Sequence, residues 1–172
     1  MKSISSILFF RFILIFLSQI IVFNNISIYG VSADIYIIFL LIFPQNINKS
    51  LYYFLIFLYG IFLDSFSNSF GIITFSLLVS SYIRPYLLNF SFGNFDMRKV
   101  GKVRDYLINT TIYQKLTYIS LVVFSHNFVL YSVEIFSIYK FQLIIKNATI
   151  SSLISITLML IIISLFYFKN ER

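Results

Sequence analysis

Tyr59 to Phe75 reads YGIFLDSFSNSFGIITF, where Gly60, Asp64, the polar run Ser65 to Ser69 and Gly71 interrupt an otherwise apolar chain. At the end of a helix that crosses a bilayer, Gly60 and Asp64 lie one turn apart on one face, and Tyr53 and Phe57 continue that stripe. The polar run then makes a short turn and Gly71 starts a returning helix. The expected unit is a hairpin of two spanning helices. A carboxylate at its tip is disfavoured by hydrocarbon, so a function or a structural partner must account for it.

Working outward, the whole chain fits this solvent. Its 172 residues are 59% hydrophobic and 11% charged, and the mean hydropathy is +0.92. That composition describes an integral membrane protein and excludes a soluble globular domain. A hydrocarbon core of about 30 Å takes roughly 20 apolar residues per helix, which leaves room for about six spans and no separate catalytic domain. Leu158–Phe168 is apolar at odd and even positions alike, which argues for helices over an alternating barrel strand.

The expected fold is therefore an all-α membrane protein, a compact bundle of about six transmembrane helices in one domain over 1–172. The spans fall at approximately 7–23, 29–43, 47–64, 70–88, 112–131 and 148–168, and a basic loop occupies 89–111. The second and third spans are the weakest, and the turn Phe43-Pro44-Gln45-Asn46 folds them into a tight hairpin. Arg84-Pro85 is expected to end the fourth span, with the arginine snorkelling to phosphates.

The cations set the orientation. With both termini inside, Lys2, Arg11, Lys49, Arg84, Arg98, Lys99, Lys102, Arg104, Lys115, Lys169 and Arg172 lie on the cytoplasmic side and only Lys140 and Lys146 lie outside. That is 11 of the 13 cations on the side where short loops retain them. The net charge of +7 is thus a topology signal and not the basic face of a nucleic-acid binder. Lys2, Arg11 and the small residues Val31-Ser32-Ala33 also have the outline of a secretory signal and its cleavage site. The apolar run Ile35–Phe43 directly after Asp34 leaves no soluble mature region, so the first span is expected to be retained.

Catalytic and metal-binding groups are sparse. With no cysteine there is no disulfide framework, thiolate nucleophile or thiol metal site. His126 is the single histidine, and Glu134 stands eight residues on, about two helical turns or roughly 12 Å away, too far for contact in a straight helix. Neither an H-E-x-x-H nor a G-x-S-x-G motif occurs. His126 is expected to bond a neighbouring hydroxyl or amide within the bundle, and Asp34 to sit hydrated near an outer helix end. No enzyme activity, cofactor or metal is expected.

Gly60-x-x-x-Asp64, followed by Gly71-Ile72 and then Ser76, Ser80 and Ser81, resembles the rod shape-determining protein MreD family. The chain's size, the weak second span and the basic loop after the fourth span extend the likeness. The resemblance implies a multi-pass protein of the bacterial inner membrane. It would act as a non-catalytic scaffold of the cell-elongation complex, the elongasome, and help maintain cell shape during peptidoglycan synthesis. The implied partners are an MreC-like protein, the actin-like MreB system, and the peptidoglycan polymerase and transpeptidase of that complex.

On this reading Gly60, Asp64 and Gly71 are the candidate partner-binding residues, the two glycines through close helix contact. The alternative for Asp64 is a helix-end residue bonding Ser67 or Asn68. Arg98, Lys99, Lys102 and Arg104 are the candidate contacts to membrane lipids or to a cytoplasmic partner. A rival function is the substrate-binding subunit of an energy-coupling-factor type small-molecule transporter, which also has about six helices in a small chain. A closed polar pocket near the outer face would favour transport, and an apolar groove facing lipid would favour the scaffold.

Overall fold

The computed structural model describes residues 13–25, 27–28, 30–43, 48–93 and 110–167, and they are mostly helical. Among these residues six α-helices follow one another: α1 (13–21), α2 (Ile37–Ile42), α3 (Lys49–Ser67), α4 (Ile72–Phe92), α5 (Ile112–Ile135) and α6 (Phe141–Tyr167). A two-stranded hairpin, β1 (Ser27–Ile28) and β2 (Val31–Ser32), joins α1 to α2, with Ser27 opposite Ser32 and Ile28 opposite Val31.

Local chemistry explains several boundaries. Asn48 begins α3 by accepting a hydrogen bond from Ser50 N at 3.2 Å, and a capping box of Thr111 and Gln114 begins α5. α3 ends at Asn68, whose left-handed backbone (φ 53°) suits a short amide side chain. α3 thus runs one turn past the expected end at Asp64, and the connection to α4 shrinks to Asn68–Gly71. α5 takes in Glu134, and α6 starts seven residues before the expected position.

Among the described residues three segments are long and apolar enough to cross a membrane: Lys49–Ser67, Ile112–Ile135 and Ile138–Ile161. Their outer faces are apolar as well, with Leu51, Phe54, Phe62, Phe66, Phe124 and Leu153 exposed. Helices that are hydrophobic all round belong in a nonpolar surrounding. α4 has 21 residues but carries Ser76, Ser80, Ser81 and Arg84, all buried. It lies between α3 and α5 and turns this polar face inward. Pro85 does not end it, since the helix runs on to Phe92.

The largest departure concerns the expected span 29–43. Only Ile37–Ile42 is α-helical, about 9 Å of rise. Val31 and all residues from Ala33 to Leu41 are buried. This segment is enclosed by protein, where irregular backbone can be satisfied by side chains in place of lipid. Its side chains Ile35, Ile37, Leu40 and Leu41 join Ile56, Tyr59, Leu63, Leu77, Tyr118, Val122 and Met159 in the main core. A smaller core of Val31, Tyr131, Ile144 and Ala148 seals the β-hairpin against α5 and α6.

Candidate functional site

The α3–α4 hairpin carries the three residues singled out in the sequence, and each has a different task. Gly60 is buried where α3 meets α4. A Cβ built on it would stand 2.6 Å from Thr74 Cα, so the two backbones approach as closely as a glycine allows. Gly71 is used for its backbone: its φ is +91° and a Cβ there would meet nothing within 4 Å. It is the N-cap of α4 and has no side chain with which to cap.

Asp64 supplies that cap from the neighbouring helix. Its Oδ1 accepts from Ile73 N at 3.0 Å and its Oδ2 from Thr74 N at 2.9 Å, two of the backbone donors that the first turn of α4 cannot satisfy internally. The hydroxyls of Ser69 and Thr74 donate to the same carboxylate. The negative charge also faces the positive end of the α4 dipole. The carboxylate's partners are thus Ser69, Ile73 and Thr74, while Asn68, one of the two residues in the helix-end alternative, meets Asp64 through the backbone, its N–H donating to Asp64 O. The buried face of α3 runs through Tyr52, Ile56, Tyr59, Gly60, Leu63 and Asp64. Phe57, expected on that stripe, is exposed.

Beside this joint lies an open groove of about 550 Å³. Phe57 and Ile61 of α3 and Phe75 and Leu78 of α4 form its apolar walls, and Asp64 and Gly71 stand at its end. Phe57, Ile61 and Phe75 are exposed within it. Gly60 lies behind, inside the hairpin. Two of the three predicted residues therefore border an outward surface, and the third holds that surface together. Arg98, Lys99, Lys102 and Arg104 lie outside the described residues.

Three buried polar networks pin the helices, and the sequence showed little of them. Arg84 is fully buried, not snorkelling. Its Nη2 donates to Leu41 O at 2.9 Å and Phe43 O at 2.7 Å, its Nε to Tyr118 Oη at 2.9 Å, and its Nη1 to Tyr52 Oη at 3.5 Å. The guanidinium thereby closes the C-terminal end of α2, where a cation is electrostatically favoured.

His126 bonds two hydroxyls, as expected. Ser80 Oγ donates to Ser76 O at 2.7 Å, so its lone pair accepts from His126 Nδ1, 3.3 Å away, and His126 Nε2 accepts from Tyr36 Oη at 2.8 Å. A nucleophilic serine would need its proton pointing the opposite way, toward the imidazole. Tyr59 Oη, in turn, donates to Tyr36 O at 3.3 Å.

Asp34 is buried and bonded, not hydrated. Ser151 Oγ lies 3.0 Å from its Oδ2, and its backbone N donates to Ser155 Oγ at 2.8 Å. A carboxylate only accepts, which orients the Asn127 amide with its nitrogen 3.0 Å from Asp34 Oδ2 and its oxygen accepting from Ser152 N at 3.1 Å. Gln19 of α1 completes this end of the bundle: its Oε1 accepts from Ile35 N at 2.9 Å and its Nε2 donates to Ala33 O at 3.1 Å. Among the described residues no group of three or more His, Asp or Glu side chains is placed to hold a metal ion.

Comparison of the chain with family models, with curated proteins and with solved structures found no match.

Proposed function

We propose that this chain is a multi-pass protein of a bacterial inner membrane. It crosses the bilayer about six times with both termini inside, and it serves as a non-catalytic scaffold of the cell-elongation complex, in the manner of an MreD-like protein. The observation that carries this reading is the Asp64-capped α3–α4 hairpin with its outward apolar groove. A rigid, closely packed pair of helices with an apolar channel along one side suits a partner's transmembrane helix. The polar side chains at the outer end of the bundle favour the scaffold over transport, since Asp34, Asn127, Ser151 and Ser155 bond one another.

The test is recovery of partners. Replacing both Phe57 and Phe75 with alanine empties the groove walls without touching the Gly60 contact or the Asp64 cap. Co-purification of the MreC-like protein, MreB or a peptidoglycan synthase should fall while the amount of inserted protein stays the same. Undiminished recovery of every partner removes the basis of the proposal. Depletion of the protein should round a rod-shaped cell, whereas intact rods that have lost uptake of a vitamin would point to the transporter.

A further inference from the structure

The three connections β1–β2, Asn68–Gly71 and Phe136–Lys140 meet at one end of the bundle. Asn24 Nδ2, just before the β-hairpin, donates to Ser67 Oγ at the end of α3 at 2.8 Å. Val31 of β2 packs against Tyr131 of α5 and Ile144 of α6. The hairpin thus ties the α3–α4 turn to the α5–α6 corner.

The tips of those two connections are apolar. Phe70 is 99% exposed, Phe136 89%, Ile138 91% and Tyr139 102%. Both phenylalanines hold the left-handed backbone that favours glycine or asparagine, at φ 50° for Phe70 and φ 40° for Phe136. Phe136 caps α5 through its N–H, which donates to Ser132 O at 3.1 Å, and neither ring is buried against the rest of the protein. Lys140 is exposed between Tyr139 and Phe141, Lys146 follows on the first turns of α6, and Glu134 is the exposed carboxylate of the same corner. Lys140 and Lys146 are the exposed cations of this corner.

We propose that this end of the bundle is an anchor in the lipid headgroup zone of the membrane that the helices cross. Phe70, Phe136, Ile138 and Tyr139 lie among the glycerol and upper acyl groups, with Lys140 at the phosphates. Aromatic rings at turn tips and a cation on a long stem are the side chains that this zone favours. They would set the depth of the bundle and hold the two corners against the bilayer surface. This inference rests on the membrane-spanning reading; Phe70 also lines the α3–α4 groove, whereas Phe136, Ile138 and Tyr139 lie apart from it and test the anchor separately from the scaffold's partners.

The chain has no tryptophan, so a single reporter excited to the red of tyrosine absorption emits without background from the 13 tyrosines. Phe70→Trp and Tyr139→Trp are made separately in the full chain and reconstituted into vesicles of phosphatidylcholine and phosphatidylglycerol. Each should emit to the blue of a hydrated tryptophan and resist iodide. Each should also be quenched more by lipids brominated near the glycerol end of the chain than by lipids brominated near its terminal methyl. Hydrated emission with free access of iodide at either position overturns the proposal, and so does stronger quenching by the deep bromines. Should either variant fail to fold, Ile138→Cys in this cysteine-free chain takes its place. Its reaction with a membrane-impermeant maleimide should be slow in vesicles and fast after denaturation, and rapid labelling in intact vesicles is the contrary result.

Discussion

A methyl group on Gly60 would stand 2.6 Å from the Cα of Thr74, so α3 and α4 touch backbone to backbone where no side chain fits between them. Backbone cannot swing aside as the end of a flexible side chain can. Gly60→Ala should therefore push the helices apart and lower stability by about 1–3 kcal/mol. Thermal unfolding of the detergent-solubilised protein measures this, and an unchanged midpoint would show that the hairpin is looser than the contact indicates.

The cap from Asp64 makes a graded prediction. Asp64→Ala leaves Ile73 N and Thr74 N without their acceptor, a loss of about 0.5–2 kcal/mol for the cap alone. Asp64→Asn keeps one acceptor oxygen and should fall between alanine and the parent. Hydrogen exchange at the first turn of α4 should quicken in the same order, and equal protection in all three proteins would exclude the cap.

Arg84 should be replaceable by no other cation. Arg84→Lys retains the charge but loses the planar fork that reaches Leu41 O, Phe43 O and Tyr118 Oη together. With hydrogen bonds to charged groups contributing about 1.5–3 kcal/mol each, the loss should be at least that large. Folded protein recovered in detergent should drop sharply, while Arg98→Lys in the basic stretch serves as the neutral control.

Tyr36 and His126 should behave as one unit. Tyr36→Phe removes the donor to Nε2 and His126→Leu removes the acceptor. Because the two groups share one bond, the double variant should be less destabilised than the sum of the singles, with a coupling of about 0.5–3 kcal/mol. Additive losses in a double-mutant unfolding cycle would contradict the bond.

Orientation can be read with a single thiol. Met97→Cys, in the basic stretch, should react with an impermeant reagent only once the cytoplasmic side of the membrane is opened. Labelling in sealed, right-side-out cells would invert the proposed topology.

Much of the α3–α6 framework was legible in the chain. Long runs of large apolar residues mark α3, α5 and α6, because hydrophobic length is a sum over neighbours in sequence. The hairpin at Gly60, Asp64 and Gly71 was legible for a related reason: its partners lie within 14 residues of one another. Their separate tasks were hidden, since a glycine chosen for close approach and one chosen for positive φ are written with the same letter.

α2, Arg84 and Asp34 were misread for the opposite reason. Asp34 meets Ser151 and Ser155 across 117 and 121 residues, and Arg84 meets carbonyls 41 and 43 residues away. Hydropathy scores a polar group by its own cost in lipid, and that cost changes once a distant segment supplies a partner. Composition and cation placement by themselves determined that this is a helical, membrane-compatible chain and implied which side its ends face. Only the tertiary structure decided which polar groups turn inward and where an irregular segment can be enclosed, because a buried hydrogen bond depends on both of its ends being brought together.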